Sequence, residues 1–269
     1  MKILKKISKF FLITVVILGL LFAASFFIRT LRVTKENMQM ETEHFNIHYK
    51  GILKGEAEDI AETLETNYNR IRTELDDPEH NMIQVFIHPT QKEFNQATGL
   101  PNSTANGTSR GPMAFHLKYE TWYNTFLPSE MEKVAVHEFT HCVQLNILIK
   151  DALSRIDTKS EADFDKEFEQ YFSANYPQWF WEALSDYEAG IVNRLSVNHG
   201  MKNHPTLTDL NTSNQIYNVG YTIVEYLVHA FGKEKLPEFI RSYCNYGKVL
   251  NVSEKEFEKG WQQFVEENY

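Results

Sequence analysis

His137-Glu138-Phe139-Thr140-His141 is a His-Glu-x-x-His motif near the middle of the chain. On a helix, His-Glu-x-x-His places its two imidazoles one turn apart on the same face, where both can bind one zinc ion. The glutamate between them then lies beside the water that the metal activates, and it can take up that water's proton. The motif therefore predicts zinc on His137 and His141, with Glu138 as the general base.

The residues around the motif predict a helix from about 129 to 149. Ser129, with Glu132 three residues later, has the pattern of an N-cap and capping box. Apolar residues then recur at helical spacing through the motif and give the helix one buried face. Cys142 falls on that apolar face, so it is not counted as a ligand.

A third ligand has to come from further along the chain. Gln144 and Ile147 occupy the positions that hold the glycine and the third histidine of metzincins, which excludes that class. The best candidate is Glu182, in the helix-like segment 177–187. Asp186 would lie one turn further on the same face, where it could accept the free ring N–H of a ligand histidine. The expected site is therefore two histidines and Glu182, with one position open for water.

These segments together resemble the gluzincin zinc peptidases, and most closely the peptidase MA-like family of extracytoplasmic proteins. The resemblance covers about Glu41 to the C-terminus, and Glu-x-x-Ser-Asp at 182–186 is similar to the third-ligand helix of thermolysin-like enzymes. Tyr217-Asn218-Val219-Gly220 looks like the Tyr-x-x-Gly segment of gluzincin aminopeptidases, in which the tyrosine stabilises the oxyanion. The resemblance implies that role for Tyr217, with Tyr221 or His204 as alternatives.

The chain departs from the gluzincin aminopeptidases upstream of the zinc helix. Those enzymes carry Gly-x-Met-Glu-Asn to hold the free amine of the substrate, whereas Gly111-Pro112-Met113-Ala114-Phe115 lacks the glutamate. Aminopeptidase activity is therefore not implied, although Met113 and Phe115 are candidates for substrate contact.

A second departure is the long spacing between His141 and Glu182, where residues 151–176 look inserted. Their acidic and aromatic residues predict an amphipathic helix. This helix could shape access to the cleft, or it could simply dock by its aromatic side. If Glu182 is not the third ligand, Glu188 or an acid of this insertion is the next candidate.

The order of the elements predicts one α+β domain over 36–269, similar to thermolysin and other gluzincins. Strand-like segments lie at about 43–50, 82–88 and 113–119, and a long helix is expected at about 55–75. Helices then fill the C-terminal half, and Ser253 with Glu256 forms a capping box for the last one. We expect 113–119 to be the edge strand, along which an extended peptide could pair.

Residues 10–28 are an almost entirely apolar run behind four lysines, which predicts a signal anchor with residues 1–9 in the cytoplasm. A cleaved signal peptide, which would leave a secreted protein, is the alternative. Residues 1–35 hold seven of the 27 basic residues and no acidic residue, so the remainder has 20 basic against 36 acidic residues. A net charge of −16 excludes nucleic acid as an expected partner.

The sequence therefore predicts a membrane-anchored, extracytoplasmic zinc metallopeptidase, an endopeptidase acting on proteins or peptides. The alternative is a binding module that keeps zinc but has little activity, although such a module has no use for Glu138. Cys142 and Cys244 are expected to be two buried thiols rather than a disulfide.

Overall fold

The chain folds as an α+β domain in which a five-stranded sheet is followed by a mostly helical half. The computed structural model describes residues 14–25, 36–77, 81–120, 130–155 and 160–269. The strands are β1 (Asn37–Glu41), β2 (Phe45–Lys50), β3 (Ile83–His88), β4 (Gly107–Ser109) and β5 (Ala114–Lys118). The helices of the domain are α1 (Lys54–Glu74), α2 (Gln91–Thr98), α3 (Met131–Leu153), α4 (Glu161–Asn175), α5 (Gln178–Ala189), α6 (Arg194–Gly200), α7 (Leu207–Leu210), α8 (Ile216–Phe231), α9 (Leu236–Arg241), α10 (Tyr246–Val249) and α11 (Glu254–Asn268). Short 3-10 helices occur at Gly51–Leu53, Met201–Asn203 and Lys233–Lys235.

The sheet is mixed, with strand order β1-β2-β3-β5-β4. β2, β3 and β5 run parallel, whereas β1 and β4 are antiparallel to their neighbours. Every second residue of the three parallel strands is buried, as expected when one face of a sheet lies on the core. That buried face consists of Phe45, Ile47, Tyr49, Ile83, Val85, Ile87, Phe115 and Leu117.

The helices pack in succession away from this sheet. α1 lies against β2, and α3 contacts α1, β4 and β5. α5 packs on α3, α8 packs along α5, and α11 contacts α8. The helix with the His-Glu-x-x-His motif is therefore held between the sheet and the C-terminal helices.

The main elements predicted from the sequence are confirmed, including the long helix α1 and the strands β2, β3 and β5. The last helix begins with the predicted capping box between Ser253 and Glu256. The start of α3 was predicted wrongly, because its N-cap is Glu130, whose side chain makes no capping hydrogen bond. Ser129 lies outside the described residues.

The prediction that 113–119 is the edge strand is wrong. β5 lies between β3 and β4, and the three-residue strand β4 forms the edge of the sheet beside it. Gly-Thr-Ser is too short and too polar for its alternation to be recognised in the sequence. Gly111, with φ of 76°, lies in the connection that turns β4 back into β5.

The predicted insertion forms α4, which is capped at its start by Ser160. Residues 156–159 of that segment lie outside the described part of the chain. Phe164 and Phe168 are buried, so the helix docks on the domain by its aromatic side, while Tyr171 is 45% exposed. None of the residues of α4 lines the cavity described below.

The predicted anchor at 10–28 is described only at 14–25, which is helical and exposed. Among the residues with described structure, no helix has the length and apolar character needed to cross a membrane. Cys142 and Cys244 are both buried and both free, as predicted.

Asp77 should matter more for stability than any exposed acid near it. Its buried carboxylate accepts hydrogen bonds from Arg72 at 2.6 Å, Asn146 at 2.8 Å and Lys150 at 3.0 Å, which tie the end of α1 to α3. Asp77→Asn removes the counter-charge of the Arg72 guanidinium, which is only 5% exposed. We expect the free energy of unfolding, measured with urea, to fall by about 3 kcal/mol.

Asp76→Asn is the matched control, because the same chemical change is made one residue away at an exposed ion pair. Asp76 is 68% exposed and contacts Arg241 at 2.8 Å. Exposed pairs contribute about 0–1 kcal/mol, so this variant should unfold nearly as the wild type does. Equal losses in the two variants would contradict the role given to Asp77.

Candidate metal centre

His137, His141 and Glu182 each bring one potential ligand atom to the same point between α3 and α5. The Nε2 atom of His137 lies 3.3 Å from Oε2 of Glu182, and Nε2 of His141 lies 3.7 Å from the same oxygen. A tetrahedral ion with bonds of about 2.0–2.1 Å, such as zinc, holds its ligand atoms roughly 3.3 Å apart. All three side chains are buried. They could therefore hold a metal ion, and no other such group of three occurs in the described ranges.

The two helices explain why these side chains meet. His137 and His141 are four residues apart on α3 and therefore share one face of that helix. Glu182 lies in the second turn of α5, which packs directly on α3. Gln178 donates a hydrogen bond of 2.9 Å to Oε1 of Glu182, which leaves Oε2 facing the histidines.

A second set of contacts fixes the far sides of the two imidazoles. Nδ1 of His137 lies 2.9 Å from Oδ1 of Asp186, the residue that the sequence suggested for this position. Nδ1 of His141 lies 2.9 Å from Oγ of Ser185. With Nδ1 engaged on each ring, both Nε2 atoms are directed towards Glu182, which is the arrangement of a metal-binding histidine pair.

Burial and the neighbouring charges shift the pKa values of all three residues. Burial would lower the pKa of His137, but hydrogen bonds to Asp186 and Glu182 outweigh it and raise that pKa to about 10. Burial and the neighbouring His137 charge lower the pKa of His141 to about 4. Burial would raise the pKa of Glu182, but its hydrogen bonds with the two histidines hold it well below the usual range.

Glu138 lies beside this cluster and is itself buried. Burial, opposed by the charge of His137, raises the pKa of the Glu138 carboxyl to about 7. Its Oε2 atom has no hydrogen-bond partner within the described structure, although the Ser109 backbone does bond the carboxylate. A carboxyl that titrates near neutral pH can both take up and release a proton, as a general base and acid must.

Gly107 of β4 lies so close to the Glu138 side chain that there is no room for a Cβ atom while the carboxylate keeps its position. A Cβ atom added to Gly107 would lie 2.5 Å from Oε1 of Glu138, which is closer than real Cβ contacts. The missing side chain at Gly107 therefore leaves the space that the Glu138 carboxylate occupies.

The site opens into a cavity of about 770 Å³. Its walls come from the loop before β4, from β4 itself, and from α3, α5 and the start of α8. The lining residues are Asn102, Ser103, Thr104, Ala105, Asn106, Gly107, Thr108, Ser109, Val134, His137, Glu138, His141, Trp181, Glu182, Asp186, Ile191, Asn214 and Tyr217.

Tyr217 lines this cavity from the first turn of α8. Partial burial and the negative charge of Glu182 raise the pKa of its phenol, which therefore remains protonated at neutral pH. α8 comes close enough to place Tyr217 there because Gly220 packs against α5. A Cβ atom at Gly220 would lie 3.2 Å from Cα of Ala183.

The other suggested substrate or oxyanion residues do not line the cavity. Phe115 is fully buried in the core of the sheet, and Met113 is 44% exposed outside the cavity. Tyr221 contacts Tyr187, with ring centroids 5.3 Å apart. His204 lies in a turn before α7, with φ of 45°.

The alternative third ligand, Glu188, is engaged elsewhere. Its carboxylate lies 2.5 Å from Nη1 of Arg70 and ties the end of α5 to α1. The acids of α4 are likewise absent from the group of potential ligands formed by the described residues.

Sequence reasoning missed several residues of the cavity. The loop 102–106 has a polar composition that indicates no site by itself, and Gly107 carries no signal beyond being a glycine next to that loop. Trp181 lines the cavity and stacks on His141, with ring centroids 4.0 Å apart, and Ser185 bonds the same imidazole. Both lie in the segment that supplied Glu182, so their position beside a candidate ligand was the available signal.

No protein-family model matches this sequence, and a comparison with curated proteins gives no match. The residues of the site and their geometry are therefore what indicate its chemistry.

Two buried glutamates of α5 allow the ligand set to be tested with the same substitution. Glu182→Gln removes a charged oxygen ligand and should reduce zinc bound per chain, measured by elemental analysis after dialysis, from about one to near zero. Glu188→Gln should retain the wild-type zinc content, because its carboxylate faces Arg70. Loss of zinc in the Glu188 variant alone would show that the third ligand is misassigned.

Proposed function

We propose that the protein is a zinc-dependent metallopeptidase that hydrolyses internal peptide bonds, of the gluzincin kind and most similar to the peptidase MA-like family. The observation that carries this proposal is Glu138. Its buried carboxyl, whose Oε2 atom has no hydrogen-bond partner among the described residues, lines the same cavity as the three residues that could hold a metal ion. A purely structural metal site requires no such group.

Zinc is the metal that suits this donor set best. Two imidazole nitrogens and one carboxylate form a ligand set typical of catalytic zinc, with one position left open. Zinc bound by His137, His141 and Glu182 would polarise the scissile carbonyl and lower the pKa of a water molecule in the site. Asp186 and Ser185 would keep the two imidazoles oriented with Nε2 towards the ion.

Glu138 is proposed to move the proton in the reaction. Its carboxylate would take a proton from the attacking water and deliver it to the nitrogen of the leaving amine. The Ser109 backbone bond and the close approach of Gly107 hold the carboxylate in place for both transfers.

Tyr217 is proposed to stabilise the oxyanion. Its phenol keeps its proton, because burial and the nearby carboxylates oppose ionisation, and it can therefore donate a hydrogen bond to developing negative charge. It lines the same cavity from α8, a different element from those that carry the ligands and the base.

The position of β4 supports a peptide as the substrate. It is the edge strand of the sheet, it lines the cavity, and its backbone contacts Glu138. An extended peptide could add to such an edge by main-chain hydrogen bonds, which would align its backbone with the base. The stretch Gly111–Phe115 lacks the glutamate that holds a free amine in aminopeptidases, so we propose an endopeptidase.

We further propose that the enzyme is anchored in the cell membrane by residues 10–28, with its catalytic domain outside the cytoplasm. The apolar run behind four lysines supports this orientation. The natural substrate would then be a protein or peptide reachable from that side of the membrane.

Glu138→Gln tests whether the protein is an enzyme or a zinc-containing binding module. The variant should keep its zinc, because Glu138 is not a ligand, and its turnover of a peptide library should fall by roughly 10²–10⁴-fold. Glu132→Gln is the matched control, because Glu132 lies on the same helix but does not line the cavity, and its turnover should match the wild type. Equal turnover by the Glu138 variant and the wild type would refute the mechanism.

Gly107→Ala tests the role of β4 in placing the base. The added methyl group would meet Oε1 of Glu138, so we expect turnover to fall by at least about tenfold while zinc content is unchanged. Gly55→Ala is the control, since an added Cβ there meets no atom within 4 Å. Unchanged activity in Gly107→Ala would mean that the base does not depend on this contact.

A further inference from the structure

We infer that Tyr176 and Gln144 are positioning residues for His141, and that the end of the segment 151–176 thereby helps to build the metal site. This inference rests on the metal site of the proposed function. The segment then does more than dock on the domain or shape access to the cleft. Its last residue, Tyr176, helps to hold a ligand of the metal site in place.

A chain of hydrogen bonds connects Tyr176 to His141. The Tyr176 hydroxyl donates to Oε1 of Gln144 at 2.8 Å, and Nε2 of Gln144 donates to Oγ of Ser185 at 3.1 Å. Ser185 Oγ lies 2.9 Å from Nδ1 of His141. Every member is buried, with Tyr176 6% exposed and Gln144 and Ser185 fully enclosed.

The directions of these bonds favour the form of His141 that can bind a metal. The Ser185 hydroxyl donates its proton to the carbonyl oxygen of Trp181 at 3.2 Å, so its lone pairs are left to accept. With the proton of His141 on Nδ1, that nitrogen donates to Ser185, and all of these hydrogen bonds are made together. A neutral imidazole with its proton on Nδ1 has the lone pair on Nε2 free for a metal ion.

The Trp181 carbonyl, which can only accept, sets which way the Gln144 amide faces, and Tyr176 bonds the amide oxygen in that orientation. In the observed orientation, Nε2 of Gln144 donates both to Ser185 and to the Trp181 carbonyl, at 3.1 Å each. A flipped amide would place Oε1 against the Trp181 carbonyl oxygen, so that two acceptors would meet. The hydroxyl of Tyr176 bonds Oε1 on the other side, in the orientation that supports His141.

Aromatic residues of the same segment also pack behind His141, through Trp181 of α5. Trp181 stacks on the His141 ring, with centroids 4.0 Å apart and planes within 9°. Phe172 and Tyr176 contact Trp181 edge to face, at 5.4 and 6.3 Å. His141 is thus held at Nδ1 by the hydrogen-bond chain and on one face by Trp181.

The test uses the full-length protein and measures zinc affinity by competition with a chromophoric chelator. Tyr176→Phe should weaken zinc binding about three- to tenfold, which is less than the roughly 10–100-fold cost of losing a direct partner of a ligand histidine, because Gln144 and Ser185 lie between Tyr176 and His141. It should also alter the visible absorption of the cobalt(II)-substituted protein, which reports ligand geometry. Tyr171→Phe is the matched control, because that exposed tyrosine of α4, the helix that Tyr176 directly follows, should leave both readouts unchanged.

A double-mutant cycle separates this chain of bonds from a general loss of stability. Gln144→Met removes the donor to Ser185 and should weaken zinc binding more than Tyr176→Phe does. Because Tyr176 acts through Gln144, the double variant should bind zinc no more weakly than Gln144→Met alone. Multiplied losses in the double variant would overturn the inference, even if every variant were less stable.

The outcomes also distinguish this inference from the proposed function. If the wild type takes up no zinc, the proposed metal site is refuted, and the inference with it. If the wild type binds zinc and Tyr176→Phe matches it in affinity and in cobalt spectrum, only the role of Tyr176 is refuted.

Discussion

The contact of His137 with two carboxylates of α5 is the interaction on which the rest of the site depends. Asp186 lies at Nδ1 and Glu182 at Nε2, 2.9 and 3.3 Å away, so one imidazole is bracketed by two acids. Carboxylates buried in this way are costly unless a positive charge compensates them. A metal ion on Nε2 would provide that charge at the one point where His141 also converges. The packing of α3 against α5 therefore brings together the three side chains that could hold a metal ion.

The elements around this helix pair each hold one further group in place. β4 approaches Glu138 through Gly107, and α8 approaches α5 through Gly220, which brings Tyr217 to the cavity. Tyr176 donates a hydrogen bond to Gln144, and Gln144 donates one to Ser185. Ser185 in turn lies 2.9 Å from Nδ1 of His141. The sheet and the C-terminal helices thus each supply lining residues of the cavity, and the candidate ligands lie on α3 and α5.

The sequence predicted those parts of the structure that depend on local patterns. The spacing within α3, the alternation in β2, β3 and β5, and the capping box of α11 are all set by neighbouring residues, and the structure has them. Glu182 was suggested because a carboxylate had to complete the histidine pair, and the structure brings it within 3.7 Å of both.

What the sequence did not reveal depends on contacts between distant segments. β4 is three residues of Gly-Thr-Ser, and it is a strand only because β5 pairs with it. Because of that pairing, the edge of the sheet is formed by Gly107–Ser109, and the strand that contains Phe115 lies inside the sheet. The partners of His141 on Ser185, Gln144 and Tyr176 likewise follow from how the helices pack, which periodicity alone does not give.

X-ray absorption at the zinc edge of the zinc-loaded protein reports the atoms bound to the metal. A site built from His137, His141 and Glu182 predicts only nitrogen and oxygen neighbours, about four of them at roughly 2.0–2.1 Å, with the outer-shell scattering of two imidazoles. A sulfur shell at about 2.3 Å would place the metal on Cys142 or Cys244 instead. That result, or the absence of imidazole scattering, would contradict a site built from His137, His141 and Glu182.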